Sequence, residues 1–259
     1  MSLTAKKALR LLEALCAASE PLGITELARQ MELNLSAVQR LLGTLVEMGY
    51  AEQDSGSRKY RATLLMWEVG SRVLAENHTR RNLHPILRQA AHQTGFNAFF
   101  VLNNCPFITY FDRVEGHIGL TYSAEMGSSL PMTQTAGGIA ISAFLPPLDL
   151  ERLFAPAHRG TVGFQPADRS KLMERIGPVR ERRFATSESG VRRGVNSIAA
   201  PVWQKDGSVC GSITLTADES DLPASRFADF GQKVVRWAEE ATATLGGQPF
   251  PASFYELSN

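Results

Sequence analysis

The sequence predicts an α+β chain with a small unit of three helices and two short strands, followed by a larger domain with an antiparallel sheet flanked by helices. Three observations predict this fold class. Apolar residues recur at helical spacing through the first 48 residues. Two short strand-like runs follow, at 50–53 and 59–62. Beyond residue 95, strand-like runs and helical segments are interspersed.

The first two helices are predicted from apolar spacing and from residues that stop a helix. A first helix spans 4–18, and Pro21 and Gly23 break it. Thr25 is predicted to cap a second helix that runs to Met31, because a side-chain hydroxyl there can accept a hydrogen bond from the first turn.

The third helix is predicted to open at Ser36, where Ser36-x-x-Gln39 is a capping-box pattern. The stripe predicted to be buried consists of Val38, Leu41, Leu42 and Leu45. Gly49 is expected to end this helix, because glycine tolerates the left-handed conformation of a C-terminal cap. A turn at 54–57 then joins the two short strands.

The rest of the chain divides into a linker helix, a larger domain and a tail. The predicted helices are 64–77, 81–94, 135–145, 148–154, 170–183 and 224–245. The predicted strands are 96–102, 107–114, 118–123, 195–204 and 208–216. The expected domain bounds are 1–63 for the first unit, 64–79 for the linker, 80–247 for the larger domain and 248–259 for a flexible tail.

Composition narrows the class of protein but does not reveal its function. The 259 residues are 44% hydrophobic with a net charge of +1, which is ordinary for a globular chain. Cys16, Cys105 and Cys210 are isolated, which predicts free thiols in a reducing cytoplasm. We expect no association with a membrane, because no apolar run approaches the roughly 20 residues of a span.

Residues 25–48 match the requirements of a helix-turn-helix, in which the second helix keeps one apolar face for the core and one polar face for the major groove of DNA. Gln39 can pair with an adenine edge, and Arg40 can reach a guanine or a phosphate. The predicted DNA contacts are Thr25, Ser36, Ala37, Gln39, Arg40, Thr44, Arg58, Lys59 and Tyr60. The alternative is a three-helix bundle with solvated charges, because the first 62 residues carry eight basic and seven acidic side chains.

This part of the chain resembles the winged helix-turn-helix of the IclR family of bacterial transcriptional regulators. The matching stretches are Ala8-Leu9-Arg10-Leu11-Leu12-Glu13, Ile24-Thr25-Glu26-Leu27-Ala28-Arg29, Ser36-Ala37-Val38-Gln39-Arg40-Leu41-Leu42-Gly43-Thr44-Leu45 and Tyr60-Arg61-Ala62. The resemblance implies that the unit binds double-stranded operator DNA, with 59–62 in the wing.

The larger domain has a second candidate site. Small residues at 127–138 lead from a loop into a helix, where backbone amides suit an anion such as a carboxylate. Ser197, Thr214 and Thr216 lie on predicted strands and would add hydroxyls at alternating positions. The alternative is a close contact between helix and sheet that requires small residues.

The domain resembles the effector domain of the IclR family, which is related to the GAF fold with its curved sheet. The resemblance is carried by Gly127-x-x-Leu130-Pro131-Met132, Ala136-Gly137-Gly138 and Gly194-Val195-Asn196-Ser197-Ile198-Ala199-Ala200-Pro201. It implies that a small-molecule effector contacts Leu130, Met132, Ala136, Gly137, Gly138, Ser187, Glu188, Ser197, Thr214 and Thr216. The chain departs from the family pattern at Ile139, which follows Gly138, and either Arg192 or Arg193 could add a charge.

Enzyme and metal sites are not predicted. The sequence has no nucleophile elbow, P-loop, zincin motif or dinucleotide fingerprint, and His84 and His92 are eight residues apart without a nearby cysteine. We therefore expect no catalytic residues, cofactor or metal. The expected function is a ligand-responsive regulator of a catabolic operon, a repressor or dual regulator, that senses a small organic or aromatic acid.

The expected assembly is a homodimer or tetramer on a pseudo-palindromic operator. The linker helix would couple the sensing domain to the DNA-binding unit, and its Leu65, Trp67, Val69 and Val73 would form part of the dimer contact. The alternative is a sensor that acts through protein partners, with a first unit that only dimerises.

Overall fold

The structure, a computed structural model, describes residues 2–118, 124–155 and 166–249. The chain divides into two compact units, Met1–Asn77 and His78–Asn259. The division falls close to the expected end of the linker at 79. Each unit has its own hydrophobic core, and each is described by itself.

The first unit packs three helices around one core and adds a hairpin and a fourth helix. Its elements are α1 (Leu3–Ala17), α2 (Ile24–Met31), α3 (Leu35–Glu47), β1 (Ala51–Gln53), β2 (Tyr60–Ala62) and α4 (Leu65–Ala75). The core includes Leu11, Leu27, Val38 and Leu42, each with no exposed surface. The stripe predicted for α3 is buried as expected, because those four positions lie on one side of a 3.6-residue helix.

Both predicted helix caps are wrong, because each helix begins before the predicted residue. Gly23 is the N-cap of α2 without a side-chain hydrogen bond, so Thr25 lies exposed inside the first turn. Asn34 caps α3: its Oδ1 accepts a hydrogen bond from the Ala37 amide at 2.8 Å, and the Ser36 hydroxyl donates to the same oxygen at 3.0 Å. The start of α3 therefore depends on an asparagine in the inter-helix turn.

The second unit is a six-stranded antiparallel sheet with helices on both faces. Its helices are α5 (His78–Thr94), α6 (Ala136–Ser142), α7 (Pro147–Glu151), α8 (Arg169–Arg182) and α9 (Phe227–Thr244). Its strands are β3 (Asn97–Asn104), β4 (Phe107–Val114), β5 (Ser129–Pro131), β6 (Ala185–Glu188), β7 (Val195–Trp203) and β8 (Val209–Asp218). The strand order is β5-β4-β3-β8-β7-β6.

Alternation along the strands divides the buried residues between two cores. Phe100 and Ile213 pack with α5 and α9 on one face. Phe99 and Val101 pack with α6 and α8 on the other. The sheet is therefore covered on both faces, and residues two apart on β3 share the face that meets α6.

A bulge in β4 changes which face its side chains meet. Phe100 pairs with Asp112, whereas Val101 pairs with Tyr110, so Phe111 is the additional residue. Tyr110 therefore shares the face of Val101, and Asp112 shares the face of Phe100, although the two residues are only two positions apart.

Several elements differ from their predicted form. Strands β5 and β6 were not predicted, and the helix predicted at 135–145 is limited to α6. The helix predicted at 224–245 opens with a short 3-10 turn at Ala224–Arg226. Residues 119–123 of the strand predicted at 118–123, and the tail from 250, lie outside the described residues. Within the described ranges, no helix has both the length and the hydropathy that a bilayer span requires.

Candidate functional site

The outward face of α3 carries most of the predicted DNA contacts. Ser36, Gln39, Arg40 and Thr44 are exposed, and Ala37 is half-buried. The Thr44 hydroxyl donates to the Arg40 carbonyl at 3.2 Å, which turns it back onto the helix. The face thus presents two long polar side chains, those of Gln39 and Arg40, between small residues that allow close approach to a groove.

The hairpin of the first unit exposes a pair of cations at its turn. Arg58 and Lys59 are exposed, and Arg58 adopts the left-handed conformation at φ +59°. The neighbouring carboxylate of Asp54 accepts hydrogen bonds from the Ser57 hydroxyl and amide, which lower the pKa of Asp54 and fix the turn. Arg61 is paired with Glu52 across the strands.

Tyr60, a predicted DNA contact, has a structural position. Its backbone amide and carbonyl exchange hydrogen bonds with Leu22, both at 2.8 Å. Its half-buried side chain packs against the core of the first unit. The residue anchors the hairpin to the segment between α1 and α2.

A cavity with about 600 Å³ of empty space, including its mouth, lies between the sheet and α6 in the second unit. Its strand residues come in alternating pairs, as expected for side chains that share one face. These are Phe99 and Val101, Ile108 and Tyr110, Val195 and Ser197, and Thr214 and Thr216. The remaining lining residues are Ala124, Leu130, Thr135, Ala136, Gly137, Ser187, Gly190, Val191 and Arg192. Its mixed lining of apolar and hydroxyl side chains is typical of a small-molecule site.

Hydroxyl groups in the cavity are positioned by the register of the strands. Ser187 pairs with Ser197, and Ser197 pairs with Thr216, so three hydroxyls cross three neighbouring strands in one row. The oxygens of Ser197 and Thr216 are 3.3 Å apart. The Thr135 hydroxyl accepts a hydrogen bond from the Gly138 amide at 2.9 Å and so caps α6.

Seven of the ten predicted effector contacts line this cavity: Leu130, Ala136, Gly137, Ser187, Ser197, Thr214 and Thr216. Met132, Gly138 and Glu188 do not line it. Met132 is completely buried in the core below α6. A side chain at Gly138 would collide with the Met132 backbone, so this glycine serves close packing. Glu188 is exposed, because it follows Ser187 on β6 and points to the other side.

Sequence reasoning missed the apolar wall of the cavity. Phe99, Val101, Ile108 and Tyr110 were predicted only as strand residues. The register that brings β3 and β4 beside β8 depends on pairing between distant segments, which alternation alone does not specify.

Comparisons with known proteins identify the family. The IclR helix-turn-helix domain matches residues 4–55, and the IclR C-terminal domain of bacterial transcriptional regulators matches residues 71–243. The chain belongs to the IclR family. Its members are transcriptional regulators and not enzymes, and the chain is accordingly a ligand-responsive DNA-binding regulator.

Individual relatives of this IclR-family chain are distant but similar in length. The transcriptional repressor IclR of Escherichia coli K12 is 26% identical over 247 residues, which is 93% of this chain and 89% of the repressor. An IclR family regulator from Brucella abortus has a TM-score of 0.82 at 22% identity, covering 94% and 92% of the two chains. An IclR homologue from Microbacterium hydrocarbonoxydans, solved with 4-hydroxybenzoate, has a TM-score of 0.69 at 16% identity, covering 94% and 97%.

Proposed function

We propose that this regulator is a repressor that binds a pseudo-palindromic operator through α3 and the hairpin, and that a small organic acid in the cavity changes its affinity for that operator. The observation that carries the DNA contact is the division of α3 into two faces. Val38 and Leu42 are completely buried, whereas Gln39 and Arg40 are exposed. A helix fixed to its core by one face can present the other to base edges.

The hairpin is proposed to add contacts with the phosphate backbone. Arg58 and Lys59 are exposed beside a turn that is ordered by Asp54. Such contacts position a protein on the duplex and make its affinity dependent on salt. The net charge of +1 gives no general attraction to DNA, so electrostatic attraction depends on local cations such as Arg58 and Lys59.

We propose that α4 contributes to a contact with a second copy of the chain. None of its residues is buried within the described chain. Trp67 is 70% exposed and Val73 is 71% exposed, as is Leu64 at 78% just before the helix. Leu65, which the sequence placed in this contact, is half-buried and packs near Gly49. Two copies are needed because one winged helix contacts too few base pairs for a selective site.

The proposed effector class follows from the lining of the cavity. Phe99 and Tyr110 meet edge to face at 5.3 Å, beside aliphatic side chains, and hydroxyls lie across the sheet from them. This composition suits a small aromatic or branched acid. The complex of a homologue with 4-hydroxybenzoate supports the same class. The coupling between effector and operator affinity that such regulation requires is about 1–3 kcal/mol.

The proposed site of action is the cytoplasm, where a bacterial regulator meets its operator. A sensor that acts only through protein partners is not favoured, because the helix-turn-helix match covers residues 4–55 of the first unit.

The test is selection of operator fragments from genomic DNA by the full-length protein, followed by binding assays at two salt concentrations. Arg40→Ala is expected to abolish the preference for selected fragments while leaving the fold intact. Arg88→Ala is the matched control. It removes an exposed arginine on α5, in the second unit, and is expected to keep the preference for selected fragments. Absence of any preferred fragment for the wild-type protein would overturn the proposal.

A further inference from the structure

We propose that Arg192 is the residue that recognises the acid group of the effector, and that the sheet orients the effector with this group toward the β6–β7 loop. The proposal rests on the proposed function of the cavity as the effector site.

The first observation is the position of the charge. Among the described residues that line the cavity, Arg192 is the one with a formal charge. Arg193, its neighbour, does not line the cavity although it is also exposed. An arginine presents a planar set of donors that can bind both oxygens of a carboxylate, so it discriminates an acid from a neutral analogue.

The second observation is that the loop carrying Arg192 is held at several points. The Gly194 amide donates to the Ser189 hydroxyl at 2.9 Å, and the Ser189 amide donates to Asn196 Oδ1 at 3.2 Å. The Val195 amide donates to the Arg192 carbonyl at 3.2 Å. Ser189 and Gly194 both adopt positive φ. A loop fixed in this way can present a side chain with little loss of backbone conformational freedom on binding.

The base of the loop also leaves no space for a larger residue. A side chain at Gly190 would collide with the Ser187 hydroxyl and would come within 2.8 Å of the Gln134 carbonyl oxygen. Ser187 is itself a lining residue. The loop therefore lies directly against the wall of the cavity.

The third observation is a gradient of polarity across the sheet. The strands at one end, β5, β4 and β3, contribute the apolar Leu130, Ile108, Val101 and Phe99, with the hydroxyl of Tyr110 as the polar group among these strand residues. The strands at the other end, β8, β7 and β6, contribute the hydroxyls of Thr214, Thr216, Ser197 and Ser187. The Arg192 loop joins β6 and β7. Across the sheet, the charge of Arg192 is therefore followed by the hydroxyl row of β6–β8 and then by the mainly apolar wall of β3–β5.

This order predicts the class of ligand. An acid group beside Arg192, with the hydroxyl row next to it, places the body of the ligand against the apolar wall of β3–β5. A monocarboxylate with an aromatic or short aliphatic body fits both ends. A ligand with a second carboxylate at its far end would place a charge against Val101, Ile108 and Leu130, which is unfavourable without a partner.

The test uses the full-length protein and measures binding of benzoate, its neutral analogue benzamide, and the dicarboxylate terephthalate by calorimetry. The variants are Arg192→Ala, Arg192→Lys and the matched control Arg193→Ala. The wild-type protein is expected to bind benzoate more tightly than the other two probes. Arg192→Ala is expected to weaken benzoate binding at least about tenfold, as for loss of a charge-assisted hydrogen bond. Its affinity for benzamide is expected to change less than twofold.

The controls separate recognition from a change in fold. Arg193→Ala is expected to match the wild type, and Arg192→Lys to retain part of the preference for benzoate. All variants are expected to bind the selected operator as the wild type does in the absence of probe. Equal benzoate affinity in Arg192→Ala and Arg193→Ala would overturn the assignment of Arg192 while leaving acid sensing intact. Failure of the wild type to bind either acid would overturn both the assignment and the proposed effector class, without affecting the operator result.

Discussion

The carboxylate of Asp112 lies 2.8 Å from Nδ1 of His84, and its second oxygen accepts a hydrogen bond from Arg80 Nε at 3.1 Å. Asp112 is 1% exposed, and its two partners are one turn apart on α5. The bulge in β4 turns Asp112 toward this helix while Tyr110 faces the cavity. One short segment of β4 therefore contacts both α5 and the candidate effector site.

Asp112→Ala is expected to destabilise the second unit by about 1.5–3 kcal/mol, the magnitude of a lost hydrogen bond to a charged group. The partners are 41% exposed, so water partly replaces the lost contact and limits the cost. Hydrogen exchange in α5 and β4 measures the effect. Glu239→Ala is the control. It removes a more exposed carboxylate, 3.6 Å from Arg183, and is expected to lower the stability by less than about 1 kcal/mol. Equal losses in the two variants would contradict the structural role of Asp112.

Asn34→Ala is expected to destabilise the start of α3 by about 1 kcal/mol, because Asn34 Oδ1 is the acceptor for the Ala37 amide. Hydrogen exchange of the first-turn amides of α3 should become roughly fivefold faster. Ser36→Ala removes only a donor to that same oxygen and should change exchange much less. A larger effect of Ser36→Ala than of Asn34→Ala would show that Ser36, as the sequence predicted, and not Asn34, caps α3.

Gly138→Ala is expected to destabilise the second unit by about 1–3 kcal/mol, as for overpacking in a core. The added carbon would meet the backbone of Met132, which cannot move without shifting the turn before α6. Gly137→Ala is the comparison. Its added carbon would lie 2.9 Å from atoms of the Ser212, Thr214 and Val101 side chains, a less severe overlap than the one with the Met132 backbone at Gly138. Thermal unfolding should therefore place the midpoint of Gly138→Ala below that of Gly137→Ala, and the reverse order would count against the packing described.

One of the three thiols, Cys16, is expected to react before the other two. Burial raises the pKa of Cys105 and of Cys210 to about 11, so at pH 8 each is almost entirely in the unreactive thiol form. Cys16 is exposed, and its pKa is raised by partial burial and by Glu13. Alkylation should modify Cys16 first. The rates at the other two sites should rise as the pH increases toward 11 and should match that of Cys16 in urea.

The comparison of sequence and structure shows where local patterns suffice. The buried stripe of α3 and the left-handed Gly49 just after the end of that helix follow from residues within a few positions, and both were predicted correctly. Strand β6 was not predicted, because four residues give too little alternation to be distinguished from a turn. The distinction between Arg192 and Arg193 also depends on the tertiary structure, since adjacent residues in a loop have no fixed periodicity.

The cap of α3 illustrates a different limit. Ser36 and Gln39 fit the capping-box pattern, but Asn34 is an equally good cap and lies two residues earlier. The earlier start adds Leu35 and Ser36 to the helix, and it requires the preceding helix to end abruptly. Glu32 provides that end by adopting the left-handed conformation, which a glutamate rarely does. The sequence therefore offers two possible N-caps for α3, Asn34 and Ser36, and the tight turn at Glu32 favours the earlier one.

The salt dependence of operator binding tests the role of the hairpin. Lys59→Ala should reduce the slope of log affinity against log salt by about one, because one phosphate contact is lost. The affinity should fall by a similar factor on selected and unselected DNA, since a phosphate contact carries no sequence information. Lys171→Ala, an exposed lysine on α8 in the second unit, removes the same charge and should leave the slope unchanged. With a net charge of only +1, a slope that fell equally in both variants would mean that the whole molecule's field, and not the hairpin, attracts the DNA.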